Sequence, residues 1–238
     1  MRHALIIVNP GEEGSDNYCP GVFEDSKNFR QFFQSAFGGL WHRNEIEELV
    51  RPSALEVMAR IETMSAYTYT IIVFVGHGHL SKTGRTVLEL RDNEVVTIKD
   101  LSMYATKRLV LVDSCRARMS EQLRKSFIWP MFEQRGNELF RNYYDYAVAR
   151  CKPGVAIGYA CRTEEVAHDK DQGGLYSLNL LRAARTLCES SSETPAGYSI
   201  FQVHELAGSF VGQTTRGDQR PEIEFQGGGS EFPFAVFL

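Results

Sequence analysis

Tyr69-Thr70-Ile71-Ile72-Val73-Phe74-Val75 is a run of β-branched, aromatic and apolar side chains, closed by Gly76 and followed at once by His77-Gly78-His79. So short and apolar a run, ended by glycine, predicts a buried strand with a titratable group just past its carboxyl end. Downstream, the run 108–112 repeats the pattern and enters Asp113-Ser114-Cys115-Arg116. Further strands are expected at 4–8, 45–50 and 155–160. Phe29, Phe32, Phe33 and Phe37 recur at helical spacing after Asp25, and Pro52-Ser53 starts a helix carrying Leu55, Met58 and Ile61. Segments 87–90 and 95–98 flank Arg91-Asp92-Asn93-Glu94 as a hairpin, with Asp100 expected to cap a short helix. Helices are expected at 175–187 and 200–211, and a flexible glycine turn at 227–230 precedes a last strand at 234–238. Strands alternating with helices predict an α/β fold, a mostly parallel central sheet of about six strands with helices on both faces. Reactive groups then belong at the carboxyl ends of the strands.

The chain has 238 residues, 43% of them hydrophobic, enough for one large domain spanning 1–238. Between 116 and 152 the pattern loosens, with Trp129-Pro130 and Arg135-Gly136 as breakers and only 137–149 helical in character, so this stretch reads as an insertion or linker. A formal charge of -4 argues against nucleic acid as a partner. No apolar run approaches the roughly 20 residues of a membrane span. The opening apolar run ends in Asn9-Pro10-Gly11 without a cleavage site, which makes it a first core strand, not a signal peptide. Five cysteines, Cys19, Cys115, Cys151, Cys161 and Cys188, are irregularly spaced without a CxxC pair, as expected of thiols in a reducing cytoplasm.

If the strands ending at 75 and 112 are parallel neighbours, His77 and Cys115 lie side by side. A thiol must ionise to become a strong nucleophile, and a nearby imidazole can take its proton and later return it to a departing amine. Glycine at 78 allows close backbone approach, so the amides of Gly78 and Cys115 can stabilise an oxyanion. Taken singly, each motif has a bland explanation: a packed cysteine, a solvated histidine. Gly-His-Gly-His also offers two metal ligands, but no zinc-type spacing accompanies it. The conjunction of both motifs at successive strand ends, about 40 residues apart, favours the nucleophile and its base.

Val75-Gly76-His77-Gly78 followed by Val110-Leu111-Val112-Asp113-Ser114-Cys115 resembles the caspase, metacaspase and paracaspase group of cysteine peptidases, and within it the prokaryotic metacaspase-like proteins. Cys19-Pro20-Gly21-Val22-Phe23-Glu24-Asp25, Ala160-Cys161 with Glu164 and Ala167, Gly174-Leu175-Tyr176-Ser177 and Gln219-Arg220-Pro221 extend the likeness over most of the chain. The resemblance implies a three-layer α/β/α sandwich and a His77–Cys115 dyad, with Gly78 lending an oxyanion amide. Where caspases carry an Arg and a Gln that grip a substrate aspartate, this chain has Cys19 and Asp113; Asp25 and Asp113 match the acidic residues of the metacaspase specificity pocket. Two carboxylates favour a cation, which implies cleavage of protein substrates after Arg or Lys. As bland alternatives, Asp25 is a favourable charge in the first turn of a helix and Asp113 a loop cap.

The stretch 116–152 falls where caspases carry a cleavable linker, and Arg116, Arg118, Arg124, Lys125, Arg135, Arg141, Arg150 and Lys152 offer sites for self-processing; solvated surface charge is the alternative. Many metacaspases need calcium, but only Asp92, Glu94 and Asp100 lie between the two motifs, so neither a metal nor another cofactor is expected. A first strand near residue 4 leaves no long prodomain, which assigns recruitment to a separate partner, an upstream protease or scaffold. At family level the analogy is to regulated stress, cell-death or phage-defence proteases. The competing readings are a silent caspase-fold scaffold, a separase-related peptidase of the same clan, and a flavodoxin-like domain, the last lacking a phosphate-cradling loop.

Overall fold

The computed structural model describes residues 1–114, 137–170, 173–192 and 194–238. In chain order they form β1 (Arg2–Asn9), α1 (Gly21–Gln34), β2 (Ile46–Val50), α2 (Ala54–Thr63), β3 (Tyr69–Gly76), β4 (Gly78–Leu80), β5 (Thr86–Glu89), β6 (Val95–Thr97), α3 (Ile98–Leu101) and β7 (Lys107–Asp113). There follow α4 (Glu138–Arg150), β8 (Gly154–Tyr159), β9 (Asp169–Lys170), β10 (Gly173–Gly174), α5 (Leu175–Glu189), β11 (Ala196–Ser199), α6 (Ile200–Thr215), β12 (Glu222–Gly227) and β13 (Pro233–Phe237).

Among the described residues the central sheet has six strands in the order β12-β8-β7-β3-β1-β2. All its pairings are parallel except that of β12 with β8. The apolar run of β1 is continuous because both its faces are covered. Ala4, Ile6 and Val8 pack with Phe29 and Phe32 of α1, Tyr144 of α4, Leu180 of α5 and Val203 of α6. Leu5 and Ile7 face the other way, toward Val57 and Ile61 of α2, Leu101 of α3, and Leu88 and Val96 of the small sheet β4-β5-β6. The three-layer α/β/α arrangement expected from the alternation of elements is the one observed.

Strand β7 opens with two buried cations. Lys107 Nζ donates to the Val148 carbonyl at 2.8 Å, closing the carboxyl end of α4. Arg108 is fully buried and donates to Thr70 Oγ1, to the carbonyl of Leu101 that ends α3 and to that of Met103 just beyond it; burial lowers its pKa to about 10. Helix α4 is fixed by Tyr144, whose hydroxyl donates to the Pro233 carbonyl at 2.8 Å, and by Arg141, which grips both oxygens of Glu45. Of the linker stretch 116–152, the residues before 137 lie outside the described ones.

Several local expectations are corrected. Leu55 is 79% exposed and Val57 takes the buried position on α2, because the helix turns that face to the sheet. Thr97, not Asp100, is the N-cap of α3; Asp100 reciprocates by accepting from the Thr97 amide at 2.8 Å. The last strand, β13, pairs with β11 outside the central sheet, whose edge is the unanticipated β12. The glycine turn before β13 is tightly packed: a Cβ at Gly229 would lie 2.3 Å from the Val155 carbonyl oxygen.

Candidate active site

Asn9 pairs with Gly76 and Val75 with Asp113, so the ends of β1, β3 and β7 are level. Strand order diverges around β1, with β2 on one side and β3 on the other, the place where open α/β sheets form a crevice. A Cβ at Gly76 would lie 2.4 Å from the Asn9 carbonyl oxygen, so only glycine allows this approach.

His77 leaves β3 half-buried, with Nε2 3.3 Å from the carbonyl oxygen of Pro10. A carbonyl can only accept, so Nε2 carries the hydrogen and Nδ1 of the neutral ring keeps its lone pair. The Pro10 oxygen also accepts from the Cys19 amide at 2.8 Å, which holds it in place. Pro10 is a participant that sequence reasoning missed, because a backbone carbonyl leaves no mark on residue type. Cys115 lies outside the described residues, which run as far as the buried Ser114. Gly78 opens β4, and a Cβ there would lie 2.7 Å from Ser114 Oγ and 3.0 Å from the Val87 carbonyl oxygen. Glycine at 78 therefore lets β4 approach the end of β7. The ring of His79 meets Glu89, with Nδ1 2.7 Å from Oε1.

The two acidic residues are brought together. Asp25, on α1, is 1% exposed and Asp113, ending β7, is 9% exposed. The Gly174 amide donates to Asp25 Oδ2 at 2.8 Å, and the Ser177 amide donates to Asp113 Oδ2 at 2.8 Å. A Cβ at Gly173 would lie 2.2 Å from Asp25 Oδ1, and one at Gly174 would lie 2.2 Å from Asp113 Oδ2. Both carboxylates thus press on one glycine pair at the start of α5. That helix has no side-chain cap of its own. The carboxylates take that place, and the positive end of the helix offsets part of their mutual repulsion. Asp25 is buried against α5, and the acidic residue in the first turn of α1 is Glu24.

Between the His and Cys motifs, Asp100 serves the start of α3, and Glu94 accepts from the Ala54 amide at 2.6 Å. Among the described residues no group of three or more His, Cys, Asp or Glu could hold a metal ion, and no helix is long and apolar enough to cross a membrane.

Comparison with known proteins agrees with this layout. Among solved structures, caspase-1 from Spodoptera frugiperda superposes with a TM-score of 0.63 at 11% identity, covering 100% of this chain and 88% of that one, a likeness of fold. No curated protein matches the chain. The family model described as the caspase domain matches residues 1–230. The chain therefore belongs to the caspase-domain family, whose members are cysteine peptidases.

Proposed function

We propose that this protein is a cysteine endopeptidase that hydrolyses peptide bonds after Arg or Lys, with Cys115 as nucleophile and His77 as its base. One observation carries the reading: Val75 and Asp113 are paired on neighbouring parallel strands, and two residues beyond each the sequence has His77 and Cys115. With Nε2 committed to Pro10, Nδ1 of His77 accepts the thiol proton. The thiolate attacks the scissile carbonyl carbon, a C–S bond forms, and the oxyanion is stabilised by the amides of Gly78 and Cys115. His77 then protonates the leaving nitrogen as the C–N bond breaks, and water, activated by the same ring, hydrolyses the thioester. No step uses a metal.

Asp25 and Asp113 supply specificity. Two carboxylates against one glycine pair favour a substrate guanidinium or ammonium and reject an aspartate. Arg116, Arg118, Arg124, Lys125 and Arg135 place sites for self-processing in the segment outside the described residues, and an upstream protease or a scaffold is the corresponding activating partner. Cys19, Cys151, Cys161 and Cys188 are buried thiols, consistent with a reducing cytoplasm.

Fluorogenic peptides differing only in Arg, Lys or Asp before the scissile bond test the assignment, with Cys115→Ala and His77→Ala as controls. Turnover of the Arg and Lys peptides, absent in Cys115→Ala, is expected; faster turnover of the Asp peptide sinks the specificity, and undiminished turnover by Cys115→Ala sinks the mechanism.

A further inference from the structure

The motif Gln219-Arg220-Pro221 lies far along the chain from the candidate dyad and takes no part in the chemistry above. Its contacts run to the segment that leads into the specificity glycines. Gln219 is fully buried. Its Nε2 donates to the Ala160 carbonyl at 2.9 Å, at the end of β8, and its Oε1 accepts from the His168 amide at 3.0 Å. The His168 carbonyl in turn accepts from the Leu175 amide at 2.9 Å, the residue that follows Gly174. Arg220 closes the middle of the same segment: its amide donates to Glu165 Oε2 at 2.9 Å and its Nε to Glu165 Oε1 at 2.6 Å. Pro221 accepts from the ring of buried His204, whose Nδ1 accepts from the Tyr176 hydroxyl at 2.9 Å, in the first turn of α5.

We infer that Gln219 and Arg220 are positioning residues for substrate specificity: they hold 160–168 so that Gly173-Gly174 stay seated between Asp25 and Asp113. The chemistry of the side chains fits the task. A neutral amide both donates to a carbonyl and accepts from an amide without bringing charge into a fully buried site, whereas a carboxylate lacks the donor and a lysine the acceptor. A bidentate contact between Arg220 and Glu165 fixes direction as well as distance. Two hydrogen bonds, Gln219 to His168 and His168 to Leu175, then separate the motif from the glycine pair. This inference deepens the proposed cleavage after basic residues and rests on it for its kinetic consequence, while its structural core, the holding of His168 and Leu175, stands apart from it.

The experiment compares the parent with Gln219→Ala, Glu165→Ala and Glu165→Gln. Glu165 is 13% exposed at its side chain and its partner Arg220 is 55% exposed, so the Glu165 variants test the same device should Gln219→Ala fail to fold. In Gln219→Ala, amide exchange at His168 and Leu175 is expected to accelerate at least about tenfold, as a lost hydrogen bond of this kind implies. With the Arg peptide, KM is expected to rise about tenfold in Gln219→Ala or Glu165→Ala with kcat little changed, and Glu165→Gln to recover part of the loss. Iodoacetamide, which bypasses the specificity pocket, should label Cys115 at the parent rate in all variants. Unchanged exchange at His168 and Leu175 in Gln219→Ala, or in Glu165→Ala where Gln219→Ala does not fold, overturns the inference. So does a fall in labelling rate that matches the loss of turnover, which would mean general damage. A parent that cleaves no basic peptide refutes the proposed function instead, and the exchange measurement still decides whether the motif holds the segment.

Discussion

Asp113 has two tasks. Its Oδ2 accepts from the Ser177 amide, and its charge is half of the proposed recognition of a basic side chain. Asp113→Asn separates them, since an asparagine oxygen still accepts from Ser177 but carries no charge. kcat/KM for the Arg peptide is expected to fall about 100-fold, the worth of a charge-assisted hydrogen bond in a desolvated site, with iodoacetamide labelling of Cys115 unchanged. Labelling that slows in proportion would show Asp113 acting on the thiol. At this scale, what the sequence disclosed depended on the kind of group. The roles proposed for His77 and Cys115 rest on what the sequence shows directly, a titratable and a nucleophilic side chain each just past an apolar run. The role proposed for Asp25 and Asp113 came only through the resemblance, because an aspartate near a helix start or a strand end is also ordinary capping chemistry. The Pro10 carbonyl that sets the His77 tautomer was not legible, since every residue has one.

Helix α5 shows how an element can be shaped by the carboxylates at its start. A Ser, Asp or Asn at its N-cap would supply an acceptor, but any Cβ at Gly174 would collide with the Asp113 carboxylate. The helix therefore begins on a glycine and borrows Asp25 and Asp113 as acceptors. Gly174 has φ −63°, a conformation open to any residue, so alanine there is not strained and its fault is purely steric. Gly174→Ala is expected to lower the unfolding free energy by about 1–3 kcal/mol, the usual cost of overpacking, and kcat/KM for the Arg peptide at least about tenfold. Urea unfolding and peptide kinetics check both; a more stable variant with full turnover would mean that the carboxylates do not press on this glycine. Among the elements, those with continuous apolar runs or helical periodicity were readable in advance. β12 was not among them: Glu222-Ile223-Glu224-Phe225-Gln226 alternates polar and apolar residues at the period of a half-buried edge strand, but it holds no continuous apolar run to mark it as core. Nor was the partner of β13, since pairing with β11 depends on where α5 and α6 deliver the chain.

For the whole molecule, burial of neutral histidine ties stability to acidity. His204 sits between α5 and α6, accepting from Tyr176 and bonded to the Pro221 carbonyl. Burial drives its pKa from 6.5 down to about 4, against the smaller opposing effect of the Pro221 bond. Burial likewise lowers His3, with Glu47 opposing. When a folded-state pKa is depressed, the unfolded chain binds the proton first, so stability is complete above the unfolded value and drains away as pH falls toward the folded one. For His204 the window is 6.5 to about 4, and crossing it costs about 3 kcal/mol. Unfolding free energies from urea titrations across that window should fall steeply in the parent and less steeply in His204→Gln, which has no ring to protonate. The variant loses the Tyr176 and Pro221 contacts and starts from a lower value, so the slope, not the level, is the measurement. Equal slopes would mean that His204 takes up its proton without unfolding, and that the bond from Tyr176 does not hold the ring neutral.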